Sequence, residues 1–306
     1  MAFLCSYSTS CFSTYPAFSA TCTRAHSYSR TVSSTPFQRR RKRWRACLSV
    51  SSNNPVLDEP AIMELPCLPF TPAEVFIPTA TKTLHLYEAR FLALLDEALG
   101  KYNNLFAHIV IERVSDGAEE GVLSFATKYG CLAQIESVRR MEVGALVTIR
   151  GVGRINLVKL TQLEPFLRGS LVPFHDAASL DTEDVDNAVK GLKMILADVQ
   201  RLQIKLRTSK DELLQTPLEN ALQWAEKGTV HESARDFIPS KAESFSFAPL
   251  QPVTSAGATE LHTLLQERIW SMEATNTMQR LEKVTKHAEQ NRSSLAAKVA
   301  LQSLQF

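Results

Sequence analysis

Glycine is scarce in this chain, with 11 among 306 residues, and no glycine takes part in a phosphate-binding loop. Such a loop needs the spacing G-x-x-x-x-G-K-S/T, because backbone N–H groups wrap the phosphates while the lysine reaches them. Gly100 is followed by lysine and then tyrosine, and no glycine lies five residues before it. Gly151 and Gly153 are followed by Asn156 instead of a third glycine. The sequence therefore predicts no nucleotide site, and we expect no cofactor.

Long apolar runs and paired cysteines are also missing. No run approaches the 18 or so apolar residues that a membrane-spanning helix needs, so we expect no membrane span. Four of the six cysteines lie in the first 57 residues, which leaves Cys67 and Cys131 for the rest of the chain. Both lie in apolar stretches, where cysteine usually behaves as a small buried hydrophobe. The sequence predicts no disulfide framework.

Acidic residues are absent from the amino-terminal segment. Residues 1–57 carry eight lysines and arginines and many serines and threonines, and the first acidic residue is Asp58. Such a leader is typical of an organelle transit peptide, and its density of Ser and Thr favours the plastid. We expect residues 1–57 to be a plastid transit peptide and disordered leader, and the mature protein to reside in the chloroplast stroma. The alternative is a basic tail at 39–45 for nuclear localisation or RNA binding.

The remainder of the chain is acidic. Without the basic residues of the leader, 26 lysines and arginines face 32 aspartates and glutamates. A net negative body disfavours nucleic acid as a partner, because binding to the phosphate backbone depends on clustered positive charge.

The most informative stretch is 65–91, LPCLPFTPAEVFIPTATKTLHLYEARF. It predicts a short apolar strand at 65–70, a second at 75–77 and a helix that begins near Leu84. Apolar residues at 87, 91, 94, 95 and 98 fit the helical period, and Gly100 stands where a helix C-cap belongs.

Short strands continue to about residue 176. Period-2 or continuous apolar patterns predict strands at 106–111, 131–138, 145–150, 153–163 and 167–173. The pairs Asp116-Gly117 and Glu120-Gly121 supply turn residues between them. One helix among several short strands favours a small twisted β-structure.

These elements resemble the Lon protease N-terminal (substrate-binding) domain family, whose members read close to L-P-L-F-P, L-F-P-G and L-P-L-H-I-F-E-P-R-Y. Further matches are FAHIVIE, GCLAQIE and RGVGRINL, with a closing strand and a weaker helical echo, at 106–112, 130–136, 150–157, 166–173 and 259–284. The resemblance covers about 63–176. Ala89 and Thr79 stand where the family usually has proline and glycine, which indicates a divergent branch.

The resemblance implies a PUA-like β-pseudobarrel over 63–176. In the family this domain engages protein substrates or partners, and full-length proteases add an ATPase and a Ser–Lys peptidase. Because no phosphate-binding loop is present, we expect a stand-alone, plant plastid-type member.

From residue 181 the apolar period becomes helical. A stripe from Val185 to Leu206 predicts one helix, a capping box at 209–212 starts another, and Thr216-Pro217 starts a third that ends near Gly228. Residues 229–257 hold three prolines and few aliphatics, and predict a loop-rich surface insertion anchored by three phenylalanines, Phe237, Phe245 and Phe247. Helices resume over 259–305, interrupted at 275–277. We expect a helical subdomain over 181–306, whose stripes form a core or, alternatively, a partner-binding face.

Three motifs raise the question of chemistry. His231 opens HESAR, which has arginine where the zinc motif H-E-x-x-H has its second ligand. Ser294 and Lys298 lie one helical turn apart, but a Ser–Lys dyad needs a desolvated lysine and this segment is polar. Glu88 and Arg90 are two residues apart and on a helix would not face each other. We assign no catalytic, cofactor or metal residue.

The sequence thus predicts an α+β protein, a PUA-like β-pseudobarrel followed by an α-helical subdomain. The favoured function is a non-catalytic protein-recognition module, an adaptor or regulator in plastid protein quality control. The alternative is an RNA-binding protein that uses the PUA-like barrel, an interpretation based on fold analogy alone. No residue is assigned to partner binding. An enzymatic function finds no nucleophile–base pair in the sequence.

Overall fold

A computed structural model describes residues 62–114, 124–177, 182–206, 216–253 and 256–304. The predicted leader, the turns at 116–121 and the capping box at 209–212 lie outside the described residues. The described residues fall within one compact unit that comprises 58–117 and 124–306.

Six strands make up the β-structure. They are β1 Met63–Phe70, β2 Thr81–Leu86, β3 Leu105–Val114, β4 Ser124–Arg140, β5 Ala145–Gln162 and β6 Leu167–Pro173. Their order is β2-β5-β4-β3-β1-β6, and β5 also pairs with β6. Pairing β1–β3 is parallel and the others are antiparallel. Five strands therefore form a closed ring, β1-β3-β4-β5-β6, and β2 pairs with residues 145–150 of β5, before the stretch of β5 that pairs with β6.

Six α-helices are present in the described residues. They are α1 Ala89–Lys101, α2 Thr182–Lys205, α3 Pro217–Lys227, α4 Lys241–Phe247, α5 Ala258–Glu273 and α6 Thr277–Ser303, of which α1 alone lies among the strands. The side chain of Thr216 accepts a hydrogen bond from the backbone N–H of Glu219 at 3.1 Å, as a Thr N-cap should. The α+β class is confirmed.

The start of α1 differs from the prediction. The helix begins at Ala89, and the preceding residues Thr81–Leu86 form β2. Leu84 and Leu86 are buried while His85 between them is exposed, which is the period of a strand. The second predicted strand at 75–77 is a buried irregular segment that follows a 3₁₀ turn, Pro72–Glu74.

Strand β5 is one continuous element where two strands were predicted. Its glycines permit close backbone approach: a Cβ on Gly151 would lie 2.1 Å from the Ile77 carbonyl oxygen. A Cβ on Gly153 would lie 2.0 Å from the Phe237 carbonyl oxygen. Both distances are far below van der Waals contact, so the two segments pack directly on the backbone of β5.

The segment 229–257 is more ordered and more deeply buried than predicted. It contains a 3₁₀ segment, Glu232–Phe237, and the helix α4, and every residue from 243 to 251 is buried. The prediction of a surface loop is therefore wrong for this part. The three phenylalanines are buried as anchors, as predicted.

Two apolar clusters stabilise the fold. The inside of the ring is filled by one face of its five strands and closed by Ala234 and Phe237 from the 3₁₀ segment. The second cluster begins on the outer faces of the strands, includes α1 and continues into α2, α5 and α6. Burial of this apolar surface is the main favourable contribution to folding.

A buried ionic junction joins the strands to the helices. We define it by two arginines and two carboxylates that are almost inaccessible to solvent: Arg154, Asp176, Glu243 and Arg280. Arg154 Nη2 lies 2.8 Å from Glu243 Oε1 and also donates to Asp176. Arg280 donates through both terminal nitrogens to Asp176. Burial opposes ionisation of Asp176, but the hydrogen bonds and charge of Arg280, together with Thr277 and Arg154, outweigh it and lower the pKa of this carboxyl.

Candidate functional site

The outer face of β2 and β5 forms a continuous strip at the surface of the ring. We call it the β2–β5 face and define it by alternate residues of the two strands, together with Tyr87, which directly follows β2: Thr81, Thr83, His85, Tyr87, Leu146, Thr148 and Arg150. Thr81 is in register with Arg150 and Thr83 with Thr148, whose hydroxyl oxygens are 3.4 Å apart. Residues in register on paired strands point to the same side, so these side chains share one surface.

Strand β2 has an unpaired edge. Within the described residues it pairs with β5 and with no other strand, whereas each strand of the ring has at least two neighbours. An unpaired edge presents backbone N–H and C=O groups that can accept a further extended chain.

An apolar end closes one extremity of the β2–β5 face. We define it by Tyr87, Met141 and Val143, which are 49%, 46% and 69% exposed. The β4–β5 turn lies directly against β2, since a Cβ on Gly144 would be 2.2 Å from the Leu86 carbonyl oxygen. His85 Nε2 lies 2.9 Å from the Val143 carbonyl oxygen, and the rings of His85 and Tyr87 are 5.8 Å apart. Three large apolar groups are therefore displayed together beside the unpaired strand.

A cationic cleft of about 220 Å³ lies at the other extremity, between β5 and α3. We define it by Arg150, Trp224, Lys227 and Thr229, which line it together with neighbouring residues of α3. The guanidinium carbon of Arg150 lies 4.8 Å from the centre of the Trp224 ring, a cation–π contact that fixes both side chains.

Arg150 uses only part of its hydrogen-bonding capacity on the protein. Nε donates to Glu136, and Nη1 donates to the Thr79 carbonyl oxygen at 3.3 Å. Nη2 has no acceptor among the described residues. The bond to Thr79 places the guanidinium beside the chain that enters β2. One charged donor thus remains for a ligand in the cleft.

Lys227 adds a second positive charge to the cleft. It is exposed and forms none of the ion pairs found among the described residues. Helix α3 ends at this lysine, and the N–H of Gly228 donates to the Trp224 carbonyl oxygen at 2.7 Å. A side chain at Gly228 would collide with Trp224, since a Cβ there would lie 2.6 Å from that oxygen.

The two ends of the face are separated by the length of β2. From Thr81 to Tyr87 there are six residue steps, or about 20 Å at roughly 3.3 Å per residue. A short extended peptide laid along β2 would reach from the cationic cleft to the apolar end.

The motifs weighed in the sequence occupy structural positions. His231 Nδ1 accepts from the Ser233 N–H at 3.2 Å and caps the 3₁₀ segment. Ser294 and Lys298 both donate to the carboxylate of Glu260, at 2.9 and 3.0 Å. No group of three or more potential metal ligands occurs in the part of the chain that the structure describes.

The expectation for Glu88 and Arg90 is wrong. Arg90 Nε donates to Glu88 Oε2 at 2.7 Å, so the two side chains do face each other. Glu88 is the N-cap of α1 and has extended backbone angles, φ −75° and ψ 137°, so the helical spacing argument does not apply to it.

The two thiols are inert by their surroundings. Cys67 and Cys131 are free and buried, as predicted. Burial raises the pKa of Cys67 to about 12 and raises that of Cys131 as well, which keeps both protonated. Among the described helices none is long and apolar enough to cross a membrane.

The β2–β5 face was not found from the sequence. The sequence pattern predicts a helix from Leu84, whereas the exposed residues at 83, 85 and 87 alternate with less exposed ones, as in a strand. The apolar end also depends on the turn at 141–144, which is 54 residues away from Tyr87 along the chain. The alternation could have been recognised, but the contact with the distant turn could not.

The closed ring, the helix α1 and the outer face of β2 define an α+β domain built around a small β-barrel. The family model described as the ATP-dependent protease La (LON) substrate-binding domain matches residues 64–231, more than half of the chain. The protein belongs to this family, and the recognition from its amino-terminal motifs is confirmed. Both ends of the β2–β5 face lie within the matched residues.

Solved structures similar to this chain include Lon N-terminal domains. The N-terminal domain of Mycobacterium avium complex Lon protease has 16% identity and a TM-score of 0.40, over 74% of this chain and 98% of that one. The Lon N-terminal domain protein from Xanthomonas campestris has 17% identity and a TM-score of 0.35, over 72% and 96% of the two chains. No curated protein matches the sequence.

Proposed function

We propose that this protein is a non-catalytic recognition module that binds an extended segment of a protein substrate or partner on the β2–β5 face. The observation that carries the proposal is the position of three exposed apolar side chains beside β2, a strand with one unpaired edge. Membership in a family described by substrate binding supports the same function.

The binding mode follows from the chemistry of an unpaired strand. A peptide beside β2 gains backbone hydrogen bonds that do not depend on its sequence. An apolar peptide side chain on Tyr87, Met141 and Val143 would remove apolar surface from water, at roughly 25 cal/mol for each Å². In a folded protein, backbone hydrogen-bonding groups are paired and apolar side chains are buried. The face would therefore select unfolded segments or segments that are exposed.

The biological setting is part of the proposal. The acid-free leader supports import into the chloroplast, where the module would act as an adaptor or regulator of protein quality control. A fluorescent protein fused to residues 1–57 should enter plastids. Retention of the fusion in the cytosol or nucleus would contradict this setting without affecting the binding proposal.

The test of binding uses the full chain and a permanently unfolded protein, reduced and alkylated so that it cannot refold. We expect micromolar binding, and we expect Tyr87→Ser combined with Val143→Ser to weaken it about tenfold, because the apolar anchor is lost. The matched control is Met194→Ser on α2, which removes another large apolar group that is 74% exposed.

Equal weakening by both variants would mean that exposed apolar groups anywhere on the surface suffice. Absence of binding by the unaltered protein would overturn the proposal. The melting temperature of each variant shows whether a loss of binding reflects unfolding.

A further inference from the structure

The β2–β5 face has chemically different ends, and the cationic cleft is not explained by apolar recognition alone. At one end lie Tyr87, Met141 and Val143; at the other lie Arg150 and Lys227. A face of this kind distinguishes the composition and the spacing of the peptide it binds.

We infer that the cationic cleft is a carboxylate subsite, and that the preferred peptide carries an acidic residue about six positions from its apolar anchor. The inference rests on the proposed function, since it assumes a peptide along β2. It adds the class of peptide, the second contact point and the distance between the two.

The charges at the cleft favour an anion. The Glu136 carboxylate that pairs with Arg150 is bound to Nε, and Nη2 has no hydrogen-bond acceptor among the described residues. Glu226, which directly precedes Lys227 on α3, is paired with Lys193 at 2.8 Å, and Lys227 is a weaker electrostatic partner of this carboxylate. Lys227 and Arg150 can therefore both act on one bound carboxylate.

The cleft holds Arg150 in place before a ligand arrives. Its side chain is 7% exposed, and the Trp224 ring, Glu136 and the Thr79 carbonyl each restrain the guanidinium. A restrained donor loses little freedom when a ligand binds, so more of the interaction appears as affinity. Arginine also binds carboxylates with directional, charge-assisted hydrogen bonds.

The size of the cleft limits the ligand to about one side chain. A volume near 220 Å³ is smaller than the roughly 300–1,000 Å³ that is usual for small-molecule pockets. A glutamate or aspartate side chain fits such a space, and the rest of the peptide would continue along β2. The proximity of the guanidinium to Thr79 places this side chain at the start of the strand.

The experiment titrates the full chain into labelled peptides and follows fluorescence anisotropy. One peptide carries an apolar residue and a glutamate six positions apart; a second has glutamine at that position; a third has the pair two positions apart. Each is made in both chain directions, because β2 can accept a parallel or an antiparallel neighbour.

We expect the first peptide to bind about threefold to tenfold more tightly than the other two, with an advantage that shrinks at high salt. Lys227→Met should remove most of this advantage and leave the glutamine peptide unaffected. Lys190→Met on α2 is the matched control, since Lys190 is also exposed and forms none of the ion pairs among the described residues.

Three results would overturn the inference: equal affinity for the glutamate and glutamine peptides, equal effects of the two lysine variants, or indifference to spacing. If Tyr87→Ser with Val143→Ser still weakens all peptides, the proposed function stands and the carboxylate subsite alone fails. If inorganic phosphate binds at the cleft while the glutamate peptide does not, the site is an ion site and the inference also fails.

Discussion

Two arginines of strand β5, four residues apart, have opposite roles. Arg154 is fully buried, and its terminal nitrogens bond two carboxylates and the carbonyl oxygens of Met272 and Ala274. Arg150 lines the cationic cleft with a side chain that is 7% exposed, and it has one carboxylate and one carbonyl as hydrogen-bond partners. The number of protein acceptors around each guanidinium decides whether it stabilises the fold or remains available to a ligand.

The region around Arg154 is nearly saturated with acceptors. Two positive and two negative groups balance in the ionic junction, and Ser246 accepts a further bond from Arg280 Nε at 2.7 Å. Among the side-chain atoms of the four junction residues, Arg154 Nε is the one that is buried without a partner in the described part of the chain. Such an arrangement tolerates little change, because removal of one partner leaves the others charged and desolvated.

The largest expected effect follows from breaking this balance. Arg154→Met should lower the free energy of unfolding by about 3–5 kcal/mol, because Glu243 would stay buried without its closest cation. Denaturant unfolding followed by circular dichroism measures the change.

Arg139→Met is the control for Arg154→Met, since Arg139 is an exposed arginine of β4 that forms none of the ion pairs among the described residues. It should change stability by less than about 0.5 kcal/mol. A loss below about 1 kcal/mol for Arg154→Met would mean that the junction relaxes or admits water.

The next effect concerns Gly153, which lies between the two arginines in the sequence and whose backbone contacts that of Phe237. Gly153→Ala should destabilise the protein by about 1–3 kcal/mol, because the added methyl group would overlap the Phe237 carbonyl oxygen. Gly100→Ala in α1 is the control, since nothing lies within 4 Å of the position of its Cβ. It should be neutral or stabilising by up to about 1 kcal/mol. Equal melting temperatures for both variants would contradict the tight contact.

The success of prediction from the sequence differs between the long helix α2 and the short strand β2. The stripe that contains Leu192, Leu196 and Val199 predicted α2 well, because helix burial depends on a local period. The same reasoning failed at 84–86, where three alternating residues fit a strand and a helix start equally well. Local periodicity therefore predicts long helices and strands, but it does not determine the type of short elements or the residue at which an element begins.

Burial of the segment 243–251 could not be predicted from its composition. Glu243 is buried because Arg154, 89 residues earlier, neutralises it. Asp176 and Arg280, which complete the junction, are 104 residues apart. Contacts over such distances leave no local pattern, so a stretch poor in aliphatic residues was read as surface. The same limit applies to the β2–β5 face, whose apolar end joins residues 87 and 143.

A smaller effect on stability is expected from a buried histidine that stays neutral in the folded protein. His108 is buried and stacked on Phe70, with ring centres 3.8 Å apart, and burial together with Lys82 holds its pKa well below the usual range. The unfolded chain takes up a proton near pH 6.5 and the folded chain does not. Stability is therefore complete above pH 6.5 and falls below it, by up to about 1.4 kcal/mol for each pH unit.

His108→Phe should reduce this slope between pH 6.5 and 5 while keeping the aromatic stack. Denaturant unfolding at several pH values measures it. Burial also lowers the pKa of His287, so this residue contributes to the same pH dependence of stability. The slope of His287→Phe is therefore compared with that of His108→Phe. An unchanged slope in His108→Phe would show that His108 is protonated in the folded protein.

The smallest effect on stability is predicted where the effect on binding is proposed to be large. Lys227→Met should change the free energy of unfolding by less than about 0.5 kcal/mol, because its ammonium is exposed and forms no ion pair among the described residues. Arg150→Met should cost more, about 1–2 kcal/mol, since Glu136 and the Thr79 carbonyl lose a donor and Trp224 loses its cation. Both costs should stay below that of Arg154→Met, measured by the same unfolding experiment. If Lys227→Met destabilised the protein as much as Arg154→Met, the charge at the cleft would be part of the fold, and the distinction between a structural and an available cation on β5 would fail.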